Sequence, residues 1–192
     1  MNVDRFDINW LATYRALGLW NVYSNFVKKQ EPREIAGKWT IPVLRSPICN
    51  MVIEALRQQG YTVSAFYQDV DGILRQNPHG FPYAVTVPKA FEAIESEAGL
   101  AEKSTNDLKE SHKGITLPVC LLLKLGCVVS FGLQTDAKGV TLCTGSVSKV
   151  GLIPAVYWNP HDRKILIPWH KGDTKGSRIR SRSMSSVPVS IL

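Results

Sequence analysis

Apolar positions along the chain change period near its middle. Over residues 8–29, Ala16, Leu19, Trp20, Tyr23, Phe26 and Val27 recur at helical spacing, predicting one amphipathic helix capped by Asp7. Lys38–Leu44 reads as a short strand that Pro42 weakens. A second helix is bounded by Ser46 as cap, Pro47 at its first position and Gly60 just past its end. Ile48, Met51, Val52, Ala55 and Leu56 form its apolar stripe. Tyr61–Tyr67 alternates as a strand, Asp69–Gly72 reads as a turn, and Ile73–Arg75 as the return of a hairpin. Tyr83–Val87 is a further strand, and Pro88 opens a helix through Phe91, Ile94 and Ala98 that Gly99 ends.

Residues 102–114 are polar and mixed in charge, which marks a boundary between an α/β front half and an all-β back half. Beyond it, Ile115–Lys124, Cys127–Leu133, Val140–Val147, Leu152–Trp158 and Lys164–Trp169 read as strands, separated by turn-forming stretches such as Gln134–Gly139 and Asn159–Asp162. The expectation is an α+β fold. Two or three helices, mostly from the front half, pack on a mainly antiparallel sheet or meander from the back half.

The 192 residues are 44% apolar and 20% charged, enough to bury a substantial core in one domain. No run approaches the roughly 18 to 20 consecutive apolar residues of a membrane span. The acidic start around Asp4 and Asp7 is unlike a secretory signal, which predicts a cytoplasmic chain without membrane contact. Cys49, Cys120, Cys127 and Cys143 lack the two-residue spacing of common zinc sites and read as reduced core residues.

The net charge of +7 is unevenly spread. Arg163, Lys164, Lys171, Lys175, Arg178, Arg180 and Arg182 stand against Asp173 alone in residues 163–192. Residues 1–170 are therefore expected to fold, and the Gly- and Ser-rich residues 171–192 to form a flexible basic tail. Such tails bind phosphate backbones through counterion release. The hairpin Tyr157–Trp169 adds aromatic rings among cations, a combination suited to single-stranded nucleic acid. Strand parity turns Trp169 to the core and leaves Trp158 as the surface ring, beside His161, Arg163 and Lys164. Small residues around Lys149, in Gly145–Gly151, would let a phosphate approach the backbone closely.

Other chemistry is weaker. Asp69 and Asp71 stand two apart, but Ile73 and Gly80 occupy ligand positions of a calcium loop. With His79 or His161 they would form a metal-dependent phosphodiesterase or nuclease centre. No nucleophile elbow, zinc-protease motif or nucleotide loop is present. These features predict a non-enzymatic nucleic-acid-binding or accessory protein, favouring single strands and needing no cofactor. The alternative partner is a protein or larger complex that docks on the aromatic N-terminal helix.

Overall fold

The computed structural model describes residues 7–29, 35–45, 47–75, 83–90, 114–174 and 176–187. The N-terminal amphipathic stretch forms two helices, α1 (Trp10–Ala16) and α2 (Trp20–Lys29), rather than one. Gly18 is the cause. At φ +69° it adopts the left-handed conformation, and its N–H reaches Arg15 O at 2.9 Å while Leu19 N–H reaches Tyr14 O at 2.8 Å. Those two bonds stop α1 and restart the chain in a new direction. The cap is Asn9, whose Oδ1 accepts from Ala12 N–H at 3.0 Å. Asp7, the expected cap, instead pairs with Lys89 at 2.6 Å.

β1 (Lys38–Val43) pairs antiparallel with β3 (Tyr83–Pro88), and β9 (Ser185–Val187) completes a three-stranded sheet of order β1-β3-β9. Pro42 is tolerated because β1 is an edge strand. Its carbonyl accepts from the buried Tyr14 hydroxyl, which ties α1 to the sheet. α3 (Cys49–Gln58) ends at Gly60 as expected, but starts two residues after Pro47, without a side-chain cap from Ile48. Pro88, expected to open a helix, is instead the last residue of β3; the rest of that helix, from Phe91 to Gly99, lies outside the described residues, as do Ser46 and the polar boundary at 102–113. After β2 (Thr62–Ala65), the expected turn at Asp69–Gly72 is the start of a one-turn helix, α4 (Val70–Ile73).

The largest departure concerns the apolar stretches Ile115–Lys124 and Cys127–Leu133. They are not two strands but one helix, α5 (Leu117–Phe131), with eleven of its fifteen residues buried. Pro118 stands at its N-terminus, where a missing N–H costs nothing, and Gly132 ends it at φ +66°. α1, α3, β1 and β5 (Ile153–Asn159) surround it, so every face is covered and no polar stripe is needed. Front and back halves therefore share one core, running from Ile8 to Ile167.

β4 is Val140–Leu142, β6 is Lys164–Ile167 and β8 is Ile179–Ser181. The second sheet has the order β2-β6-β5-β4-β8, with β7 (Trp169–His170) also on β5. Pro168 divides the strand expected across Lys164–Trp169 into β6 and β7. Most pairings are antiparallel, but β2 joins β6 and β8 joins β4 in parallel. The architecture is α+β.

Residues 176–187 depart from the expected free tail. β8 lies on the six-stranded sheet and β9 on the three-stranded one, so this segment straps the two together. Arg182, between them, is fully buried. Its Nη2 donates to Asp136 Oδ1 at 2.8 Å and its Nη1 to Ala90 O at 2.8 Å.

Candidate functional site

A cleft of about 930 Å³ opens among the N-terminal ends of α3 and α5, the α4 turn and the segment Gly145–Lys149. Long-range backbone pairing builds one wall. Leu74 bridges Ser148, Arg75 N–H donates to Val147 O at 3.0 Å, and Lys149 N–H donates to Ile73 O at 2.9 Å. Alternation along such a pair puts Arg75, Val147 and Lys149 on one face and Ser148 on the other. The first three line the cleft and Ser148 is fully buried. Arg45, just past β1, supplies a third cation.

Two backbone contacts shape the floor. Ser146 Oγ accepts from Leu117 N–H at 2.9 Å and so caps α5 from across the cleft. A Cβ on Gly145 would stand 2.3 Å from Gly114 O, so only glycine lets these two chain segments meet. Thr116, beside them, is buried and its Oγ1 has no partner among the described residues.

Asp69 and Asp71 also line the cleft, but both are committed to the backbone. Asp71 accepts from Cys49 N–H at 2.9 Å and Asn50 N–H at 2.8 Å, and so supplies the cap that Ile48 does not. Asp69 accepts from Gly72 N–H at 2.9 Å and from Asn50 Nδ2 at 2.8 Å, while Asn50 Oδ1 accepts from Val70 N–H at 3.1 Å. The Gly72 N–H, then Asn50, hold the Asp69 carboxyl below its usual range, with a smaller contribution from Lys149. This closed network welds α4 to α3. The cations differ: among the described residues, the side chains of Arg45, Arg75 and Lys149 enter no hydrogen bond or ion pair. Three cations against the carboxylates of Asp69 and Asp71 give the described lining a formal excess of one positive charge.

Of the side chains expected from the sequence to contact nucleic acid, Lys149 alone among the described residues lines this cleft; Asp69 and Asp71, expected as metal ligands, line it too. His161 and Arg163 are exposed in the turn between β5 and β6, and Lys164 is half-buried where β6 begins. Lys171 is exposed past β7, at the opposite end of β6. Trp158 is not a free surface ring: it packs against the core and meets Tyr61 edge-on at 5.4 Å between centroids. Arg178 is exposed and donates to Lys138 O at 2.7 Å. Arg180 is buried, with Nη1 on the carbonyls of Ser177 and Ile179 at 2.8 and 2.7 Å. Arg180 and Arg182 are thus buried and donate to acceptors within the fold. Lys175 and His79 lie outside the described residues.

Arg45 and Arg75 are the additions that the sequence did not signal. The bridge placing Arg75 beside Lys149 joins segments far apart in the chain, and no local pattern announces it. Of the metal centre expected with His79 or His161, the His161 arrangement does not assemble, because Asp69 and Asp71 line the cleft while His161 sits in the β5–β6 turn; His79 lies outside the described residues. Among the described residues no three His, Cys, Asp or Glu side chains are grouped to hold a metal ion. All four cysteines are unpaired and buried. Burial pushes Cys127 up to about 12 and Cys49 and Cys143 well above the usual thiol range, which keeps them protonated core residues. The aromatic N-terminal face is largely spent in the core through Tyr14 and Phe26. Trp20 and Val22 remain exposed, but two residues apart on a helix they do not share a face. Among the described residues no helix is long and apolar enough to cross a membrane.

His170 offers a pH test. It is half-buried, its Nε2 has no partner among the described residues, and burial lowers its pKa. The fold thus favours neutral imidazole, and protonation favours the unfolded chain. This contribution is complete above pH about 6.5 and is lost as pH falls through the lowered value. His170→Gln is expected to flatten the decline in urea midpoint between pH 7 and pH 5. An unchanged decline in the variant would assign it to other groups.

The chain matches no family model, no curated protein and no solved structure.

Proposed function

We propose that this chain binds nucleic acid, favouring single strands, and that the cleft holds the phosphate backbone. The observation that carries this reading is the set of three unpaired cations, Arg45, Arg75 and Lys149, around a cleft whose carboxylates are committed to backbone N–H groups. Guanidinium groups suit phosphate oxygens because their donors form a planar fork, and Lys149 adds a point charge. The reading assigns binding and no reaction. The cations at the β5–β6 turn and Lys171 lie outside the cleft.

Fluorescence-anisotropy titrations with short single- and double-stranded DNA and RNA at two salt concentrations test it. Single strands should bind more tightly, with affinity falling steeply as salt rises. Arg75→Ala and Lys149→Ala should each weaken binding across sequences and reduce the salt slope by about 0.7. Arg163→Ala, outside the cleft, should leave most of the affinity in place. Full affinity in the Arg75→Ala/Lys149→Ala double variant would overturn the cleft reading. Deleting residues 171–192 would be a poor substitute, because it removes β8, β9 and Arg182 and with them the fold.

A further inference from the structure

Phe66 is the most exposed large apolar side chain among the described residues, at 76%. It is nonetheless held in place. Its ring meets Tyr67 edge-on at 4.9 Å between centroids, and Tyr67 meets Trp169 in the same way at 5.3 Å. Trp169 in turn packs against the core. The result is a ladder of three rings anchored at one end and open to water at the other. Edge-to-face contacts fix ring orientation, so little conformational freedom remains to be lost when a flat ligand lands on Phe66.

The position of this ladder is informative. Phe66 immediately follows β2, and Asp69 of the cleft lies three residues further on, so their Cα atoms are at most about 11 Å apart. β2 is the edge strand of its sheet, so among the described residues no further strand covers this side of the ladder. Exposed Lys171 follows Trp169 by two residues and adds positive charge at the same end of the sheet. A ligand running from the cleft past Phe66 thus meets cations first and an open aromatic face next. Single-stranded nucleic acid has that alternation of charge and flat apolar surface, with phosphates for the cleft and unstacked bases for the ring.

We propose that Phe66 is the stacking platform for an unpaired base of the strand whose phosphates occupy the cleft. The proposal rests on the nucleic-acid reading above and adds the feature that selects single strands over duplexes, since a paired base offers no free face. It commits to stacking, which tolerates any base, and not to sequence readout.

The test uses the full chain with three labelled probes of equal length: a thymidine single strand, the same strand with every base replaced by an abasic site, and a duplex. The parent should bind the base-bearing strand best. Phe66→Ala should weaken that strand by roughly 5- to 150-fold, leave the abasic strand unchanged, and keep the salt slope of the parent. Phe66→Trp should restore or tighten the base-bearing strand. Because Phe66 is exposed, both variants should keep the melting temperature of the parent within a few degrees. Equal affinity of Phe66→Ala and the parent for the base-bearing strand overturns stacking, as does equal weakening for base-bearing and abasic strands. In either case a loss of binding in Arg75→Ala would leave the cleft reading standing. If Arg75→Ala and Lys149→Ala both bind like the parent, the cleft reading fails instead. Tighter binding of the duplex than of the single strand overturns the proposed selection.

Discussion

Asp136→Ala is expected to lower the melting temperature by about 6 to 20 °C. Two cations from distant parts of the chain converge on this carboxylate, and all three side chains are fully buried. Arg182 Nη2 is 2.8 Å from Oδ1, and Lys124 Nζ is 3.6 Å from Oδ2 while donating to Thr135 O at 2.7 Å and Thr135 Oγ1 at 3.1 Å. Burial alone would pull the Arg182 pKa down, but the charge of Asp136 and its hydrogen bond more than offset this and hold the guanidinium charged. Removing the carboxylate leaves those cations desolvated without it, a change that costs about 3–5 kcal/mol. Differential scanning calorimetry reads the effect directly. Adding Lys124→Met and Arg182→Met to Asp136→Ala should recover part of the loss, because the buried charges then disappear together. A shift under 2 °C in Asp136→Ala would show that the cluster does not hold the core.

Leu122→Ala should be nearly as damaging, lowering the melting temperature by about 4 to 20 °C. Leu122 lies mid-way along α5, fully buried in the main core. Truncation removes its transfer free energy and leaves a cavity that the surrounding elements fill only in part, costing about 2–5 kcal/mol. Val150→Ala is the matched control, since Val150 is 66% exposed and should shift the midpoint little. If Leu122→Ala behaved like Val150→Ala, α5 would not be the axis of the core.

α5 is also where sequence reasoning failed, and for an identifiable reason. A helix covered on all sides has no polar stripe, so its apolar run carries no 3.6-residue signal and resembles buried strands. Lys124 ends the first of the two expected strands, yet it is a buried partner of Asp136 inside the helix. By contrast, the end of α3 at Gly60 and the strands Lys38–Val43, Thr62–Ala65 and Tyr83–Pro88 were legible. Local turn chemistry and strand patterning marked them. The C-terminal arginines misled for the opposite reason. A cluster of positive charge reads as solvated, but the partners that bury Arg182, Asp136 and Ala90, come from elsewhere in the chain. The candidate site was half legible on the same grounds. Lys149 stood out among small residues, whereas Arg75 joins it only through the Leu74–Ser148 bridge, and Phe66 reads locally as one more residue of a strand.

The strap formed by β8 and β9 bears on how the chain is made. Synthesis delivers it after every other described element, yet it completes both sheets. Until it emerges, β3 and β4 each present an unpaired edge, and Asp136 and Lys124 wait for Arg182. Open edges are templates for pairing with other chains. Chains truncated before residue 176 would leave both edges open and are expected to aggregate more readily than the full chain.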